Sequence, residues 1–165
     1  MEIKFLQKDQ PNWLAYAGQI ASVDWKAAAF VANKMRQRSY NDWEGVFVAV
    51  AHNQLAGFCT IVKEDIVPLQ IAPFIATVYV APSYRGNHLS QQLVSAAERR
   101  LHQIGFDTIY IVTQLSGLYE KLWAINKLRQ PPIALGEGCV FWQKMKNSAS
   151  QANLFTYFKL VLLLK

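Results

Sequence analysis

Hydrophobic positions recur along this chain in two rhythms, one near two residues and one near 3.6, and the two alternate in a definite order. Residues 3–6 read as a short strand. Pro11 and Asn12 then introduce a helix whose Trp13, Tyr16, Ala17 and Ile20 fall on one side. A second helix follows Asp24, spanning residues 25–38 and closing in the basic residues Lys34, Arg36 and Arg38 before Asn41 and Asp42 break the pattern. Residues 46–50 and 55–62 are strands turned at His52 and Asn53, which makes them a hairpin closed by Lys63, Glu64 and Asp65.

After a loop with Pro68 and Pro73, residues 75–80 are mostly β-branched and aromatic, as in a strand covered on both faces, and Ala81-Pro82-Ser83 ends it. Leu89, Leu93, Ala97, Leu101 and Ile104 follow at helical spacing, with Asn87 as the expected N-cap and Gly105 as the residue just past the C-terminus. A strand over 108–113, a helix over 116–121 and a last strand over 139–145 complete the order βααββ, then βαβαβ. That order predicts an α/β (α+β) fold, with helices on both faces of a mixed sheet. Strands 75–80 and 108–113 form a parallel pair joined by a right-handed crossover.

The stretch Val78 to Gln91, VYVAPSYRGNHLSQ, is where this pattern meets chemistry. A strand runs through a basic turn into a helix, and the first N–H groups of a helix have no internal partner and lie at the positive end of its dipole. Such a junction holds phosphate, and Arg85 adds a formal charge. Read without other information, it is equally an ordinary strand, turn and helix unit.

At this point the chain resembles the GNAT superfamily of acyl-CoA N-acyltransferases, whose pyrophosphate loop has the form Q/R-x-x-G-x-G/A after a Val-rich strand. The chain supplies R-G-N-H-L-S, with Arg85 at the first position, His88 where the family usually has its first Gly, and Ser90 where it has Gly or Ala. Further on, Gly117-Leu118-Tyr119-Glu120-Lys121-Leu122 matches the family's L-Y-E-K-x-G-F in order and spacing, with Trp123-Ala124 in place of Gly-Phe. The resemblance covers residues 45–145 and implies a mostly antiparallel sheet whose central parallel pair is splayed.

The resemblance also implies a use of acetyl-CoA as co-substrate. Backbone groups of Val78, Tyr79 and Val80 would pair with the pantetheine arm, and N–H groups of Gly86, Asn87, His88, Leu89, Ser90 and Gln91, beside Arg85, would hold the pyrophosphate. Tyr119 would be the general acid for the departing thiolate. A phenol suits that role because its reference pKa, about 10, lies above that of a thiol, about 8.5. Without its flanking residues Tyr119 would read as a packed aromatic. No general base is evident: Asp65 and Asp107 qualify by position alone, and either also suits a turn or cap. The acceptor, a small-molecule or peptide amine, would lie over the first two helices and the loop before the last strand, where Trp25, Tyr40 and Pro131-Pro132 shape a pocket.

Composition narrows the alternatives. With 165 residues, 52% hydrophobic, the chain suits one domain with a real core, assigned to residues 1–147. Its two cysteines, Cys59 and Cys139, are too few for a disulfide framework or a zinc site, and His52 and His102 have no ligand-like spacing, so no metal is expected. With no signal-type opening, the expected compartment is the cytoplasm. The net charge of +6 is C-terminal in origin: residues 1–120 carry ten basic and ten acidic side chains, residues 121–165 seven basic and one acidic. This suits steering of a phosphate-rich coenzyme or a solvated basic edge alike. The absence of a run of four basic residues and of an aromatic-interleaved RNA-binding signature argues against nucleic acid.

Residues 148–165 stand apart as a linker and an apolar tail, too short for a transmembrane segment at about 20 residues. They suit a docked helix or strand, including one exchanged in a homodimer, or an interfacial membrane contact. The sequence thus predicts an N-acetyltransferase, against the alternatives of a non-catalytic acyl-CoA-binding regulatory protein or an interaction module.

Overall fold

A computed structural model describes residues 1–65, 71–113, 126–127 and 140–145, the last two segments and Thr113 as backbone only. The described elements are β1 (Glu2–Leu6), α1 (Trp13–Ala21), α2 (Lys26–Arg36), β2 (Gly45–Ala51), β3 (Gln54–Val62), β4 (Phe74–Val80), α3 (Leu89–Gln103), β5 (Thr108–Thr113), β6 (Asn126–Lys127) and β7 (Val140–Met145). The strands form one sheet in the order β1-β2-β3-β4-β5-β7-β6. Every neighbouring pair is antiparallel except β4 and β5. The two-residue β6, which pairs with β7, has no counterpart in the sequence reading. The expected helix over 116–121 and the tail over 148–165 lie outside the described residues.

The hairpin at His52-Asn53 forms as predicted, both residues taking positive φ (50° and 60°), the requirement of a tight turn whose twist matches its strands. Alternation along the strands divides the core into two layers. Val46 and Val48 of β2, with Phe58 and Val62 of β3, pack against Trp13, Ile20, Val31 and Met35 of α1 and α2. Phe47 and Ala49, with Cys59 and Ile61, pack on the other face against Leu89, Leu93, Ala97 and Leu101 of α3. Both faces of the sheet are therefore covered, and the helical stripes read from the sequence are the buried ones.

The α3 helix is stopped by Gly105 at φ 98°. The Gly105 N–H donates to the His102 carbonyl and the Phe106 N–H to the Leu101 carbonyl, a Schellman ending in which orphan carbonyls are satisfied. Its start differs from expectation. The N-cap is His88 in the left-handed region (φ 56°), not Asn87, and no side chain caps the helix. The physical reason is the backbone path: Gly86 at φ 81° and His88 at φ 56° turn the chain sharply, so the helical dihedrals begin only at Leu89.

Among the described residues, one charged side chain is sealed into the fold. Glu44 is 3% exposed, and its carboxylate accepts from the N–H of Asn41 and, at 2.6 Å, from the N–H of Lys63. It ties the loop before β2 to the end of β3 by charge-assisted bonds, which offsets the cost of its burial.

Candidate functional site

The parallel pair is a fork. β4 and β5 are in register only at Phe74 and Tyr110, where the Tyr110 N–H donates to the Pro73 carbonyl at 3.0 Å. Beyond that point β4 stays with β3 as far as the Ala81 N–H, which reaches the Ala56 carbonyl at 2.9 Å, and β5 stays with β7 as far as Thr113. The facing edges of β4 and β5 thus separate over six residues of β4, about 20 Å of strand. An open edge inside a sheet leaves backbone groups that need partners, which an extended ligand with amide groups supplies.

A bulge re-aims the open arm of the fork. Thr60 is opposite Ala76 and Phe58 opposite Tyr79, so Thr77 and Val78 together face Cys59. The extra residue reverses the alternation: Phe74 and Ala76 face the α1/α2 layer, whereas after Thr77 it is Tyr79 that does so, and Val78 and Val80 turn to the α3 layer. Thr77 takes φ 52°, a conformation strained for a β-branched residue. The buried Thr60 hydroxyl donates to the Ala76 carbonyl at 3.1 Å, satisfying an acceptor beside the bulge. Nothing local to Thr77 in the sequence marks this bulge. Gly57 carried a partial signal, since an isolated glycine in a strand points to a bulge or a close approach. A Cβ at Gly57 would lie 2.6 Å from the Tyr79 carbonyl and 3.2 Å from a Leu93 methyl, so glycine here lets α3 seat closely on β3 and β4.

The expected coenzyme residues fall at one place. The Tyr79 carbonyl lies against Gly57 and the Ala81 N–H bonds β3, so strand alternation turns the backbone groups of Val78 and Val80 toward the fork. Tyr79, expected to offer its backbone as well, instead turns that backbone to β3. Its ring joins an aromatic row, 5.4 Å from Phe58 and stacked on Trp25 at 6.0 Å and 26°. The first intrahelical bond of α3 runs from Gln92 to His88, which leaves the N–H groups of Leu89, Ser90 and Gln91 without a helical acceptor. Arg85, Gly86, Asn87 and His88 are exposed just before them. The Arg85 Nε donates to the Val80 carbonyl at 3.1 Å, joining the end of β4 to the turn.

Other expectations separate from this group. Tyr40 is 4% exposed and packs edge-on to Trp13 at 5.2 Å, so it is a core residue and lines no acceptor pocket; burial and the nearby Glu44 push its phenol above the usual range. Asp65 follows β3 and Asp107 precedes β5, which puts both toward the closed end of the fork. Tyr119, Pro131 and Pro132 lie outside the described residues. Among the described residues no cluster of His, Cys, Asp and Glu could hold a metal ion, and no helix is long and apolar enough to cross a membrane.

The comparisons with known proteins agree with this geometry. The model of the acetyltransferase (GNAT) family matches residues 12–122, more than half of the chain. No curated protein matches the sequence. Among solved structures, an aminoglycoside 6'-acetyltransferase type Ii superposes with a TM-score of 0.65 at 20% identity, over 89% of this chain and 98% of that one. The aminoglycoside 6'-N-acetyltransferase from Enterococcus faecium gives 0.64 at 18% over the same shares, 89% and 98%. A GNAT family N-acetyltransferase from Escherichia coli in complex with CoA gives 0.66 at 17%, over 90% of this chain and 83% of that one. At these identities the likeness establishes the shared fold, and the family follows from the sequence match. The chain belongs to the GNAT family of acetyltransferases and is an acyl-CoA-dependent acyltransferase.

Proposed function

We propose that this protein transfers an acetyl group from acetyl-CoA to a primary amine by direct attack. The observation that carries the reading is the continuity of two surfaces with open backbone groups: the edge of β4 at Val78 and the Val80 N–H runs into the uncapped start of α3. The first fits the amides of a pantetheine arm and the second fits a pyrophosphate, held by N–H groups of residues 86–91 with Arg85 beside them. Bound acetyl-CoA supplies an acyl carbon already activated as a thioester.

The protein's part is orientation and proton management. An amine held over the fork in its neutral form places its lone pair on the thioester carbon, the C–N bond forms, the C–S bond breaks and the electron pair leaves on sulfur. Tyr119 donates its phenolic proton to that sulfur, the amine's surplus proton leaves to solvent, and solvent returns a proton to the phenolate. A polarised carbonyl needs a fixed donor, and the Val78 and Val80 N–H groups on the fork edge suit it.

Calorimetric titration with acetyl-CoA, followed by thiol release against a panel of amines, tests the reading. Saturable binding with amine-dependent thiol release is the expected result. Tyr119→Phe should then slow transfer while leaving coenzyme affinity nearly intact, as loss of a transition-state role requires. Binding without release for every amine would make the protein an acyl-CoA-binding regulator instead, and no binding would end the assignment.

A further inference from the structure

The two faces of the fork differ in chemistry. The uncapped start of α3 lies on one face of the sheet, with Val78 and Val80. The opposite face, under α1 and α2, carries the aromatic row Phe58, Tyr79 and Trp25. Phe58 is fully buried at the base of the row and Tyr79 half-buried in the middle, while Trp25 at its outer end is 40% exposed, a high value for so large an apolar side chain. Trp25 is not a loose surface ring. Its carbonyl accepts from the N–H groups of Ala28 and Ala29, and its own N–H donates to Val23 at 2.8 Å, so the backbone that carries the indole is held at the start of α2. A rigid flat face thus stands on Tyr79, two residues past the bulge that opens the fork.

Formal charge beside Trp25 is balanced, and the other basic side chains of α2 lie in its last turn. α1 and α2 contain no Asp or Glu, while α2 contains Lys26, Lys34 and Arg36, a net of three positive charges. Asp24, exposed just before Trp25, is matched in sequence by Lys26 just after it.

We propose that the acceptor is an amine carrying a flat aromatic group, which stacks on Trp25 and so hangs its amine over the fork. This inference rests on the acetyl-transfer reading above, and it makes Trp25 a specificity-determining residue. Stacking of aromatic rings contributes about 0.5–1.5 kcal/mol beyond area burial, equivalent to a factor of up to about tenfold in affinity.

The test compares 2-phenylethylamine and tryptamine with n-hexylamine and with spermidine, by thiol release and by calorimetric titration into CoA-saturated protein. The aromatic amines are expected to exceed hexylamine about tenfold in kcat/KM, with spermidine, which also lacks a flat group, sharing none of that advantage. Trp25→Leu, which keeps apolar bulk without a flat face, should remove most of that advantage, raising KM for the aromatic amines more than for hexylamine and leaving the Kd for acetyl-CoA within about twofold. Trp25→Phe should restore part of it. Preference for spermidine, or an equal loss for all amines in Trp25→Leu, would overturn the inference. So would an absence of aromatic-amine binding to CoA-saturated protein. If acetyl-CoA itself failed to bind, the transfer reading would fall, and this inference with it.

Discussion

The Nε of Arg85 donates to the carbonyl oxygen of Val80 at 3.1 Å, so the last residue of β4 and the first basic residue of the turn are joined on one arm of the fork. The bond satisfies a carbonyl that has no strand beside it, and it orients the guanidinium so that its two terminal nitrogens remain for phosphate oxygens. A lysine has the charge but not this second, orienting donor. Arg85→Ala is expected to raise the Kd for CoA by about 10- to 100-fold, from loss of one charge-assisted contact of about 1.5–3 kcal/mol. Arg85→Lys should recover less than half of that free energy. Titrations at two salt concentrations should show a weaker salt dependence in the alanine variant. Equal affinities in all three proteins would remove Arg85 from the phosphate site.

Thr77 holds a left-handed conformation that a β-branched residue avoids, at a cost of about 1–3 kcal/mol. Thr77→Gly should relieve it, less about 0.5–1 kcal/mol for the greater freedom of glycine in the unfolded chain. The expected result is a higher urea midpoint, by about 1 kcal/mol of stability, with CoA affinity within about twofold. Deleting Thr77 should act oppositely. With the extra residue gone, Ala76, Val78, Tyr79 and Val80 keep their present faces in regular alternation, but the bend and added twist of the bulge are lost, and coenzyme binding should weaken. A deletion variant that binds CoA with unchanged affinity would show that the bulge does not position the fork.

That contrast explains how much was legible in the sequence. The stripes of α1 and α3, the hairpin at His52 and Asn53, and the Schellman glycine at position 105 all follow from local periodicity and turn chemistry, and the structure keeps them. The bulge at Thr77 was not legible, because a run of β-branched residues scores as a straight strand whether or not its neighbour's register slips by one. The fate of Trp25 and Tyr40 was legible only in part. Both are large aromatics near polar turns, and only tertiary packing decides that one ends at 40% exposure on Tyr79 and the other at 4% against Trp13. The cap of α3 was misplaced by one residue because Asn87 has the better side chain for the role, whereas the two positive φ values at Gly86 and His88 fix where the helix begins.

Cys59 is fully buried in β3, with the Leu93 carbonyl 3.7 Å from its sulfur, and burial pushes its thiol above the usual range. The native state therefore keeps a proton that the unfolded chain releases. The associated stability is fully present below the unfolded thiol pKa, about 8.5, and is lost as pH rises beyond it. The loss from this group approaches about 1.4 kcal/mol per pH unit between pH 9 and 10. Tyr40 and Tyr110, also raised by burial, add to it once pH passes about 10. Cys59→Val should flatten the fall of Tm between pH 8 and 10 relative to the parent protein. Parallel curves for the two proteins would show that the Cys59 thiol titrates as freely in the folded state as in the unfolded one.

His88 occupies the position at which the GNAT loop usually has glycine, and it adopts the left-handed backbone that glycine would supply, at φ 56°. The imidazole itself makes no capping hydrogen bond and is exposed. What the fold needs at this position is the backbone conformation, because that conformation aims the next N–H groups out of the helix. His88→Gly is therefore expected to raise stability by about 0.5–1 kcal/mol, the left-handed cost of a side chain, and to leave the Kd for CoA equal or a few-fold tighter. His88→Val should do the reverse, since a β-branched residue tolerates positive φ least. Thermal unfolding together with CoA titration at pH 6 and pH 8 checks both variants. A Kd raised more than about fivefold by His88→Gly, with loss of pH dependence between those points, would instead assign the imidazole to the phosphates.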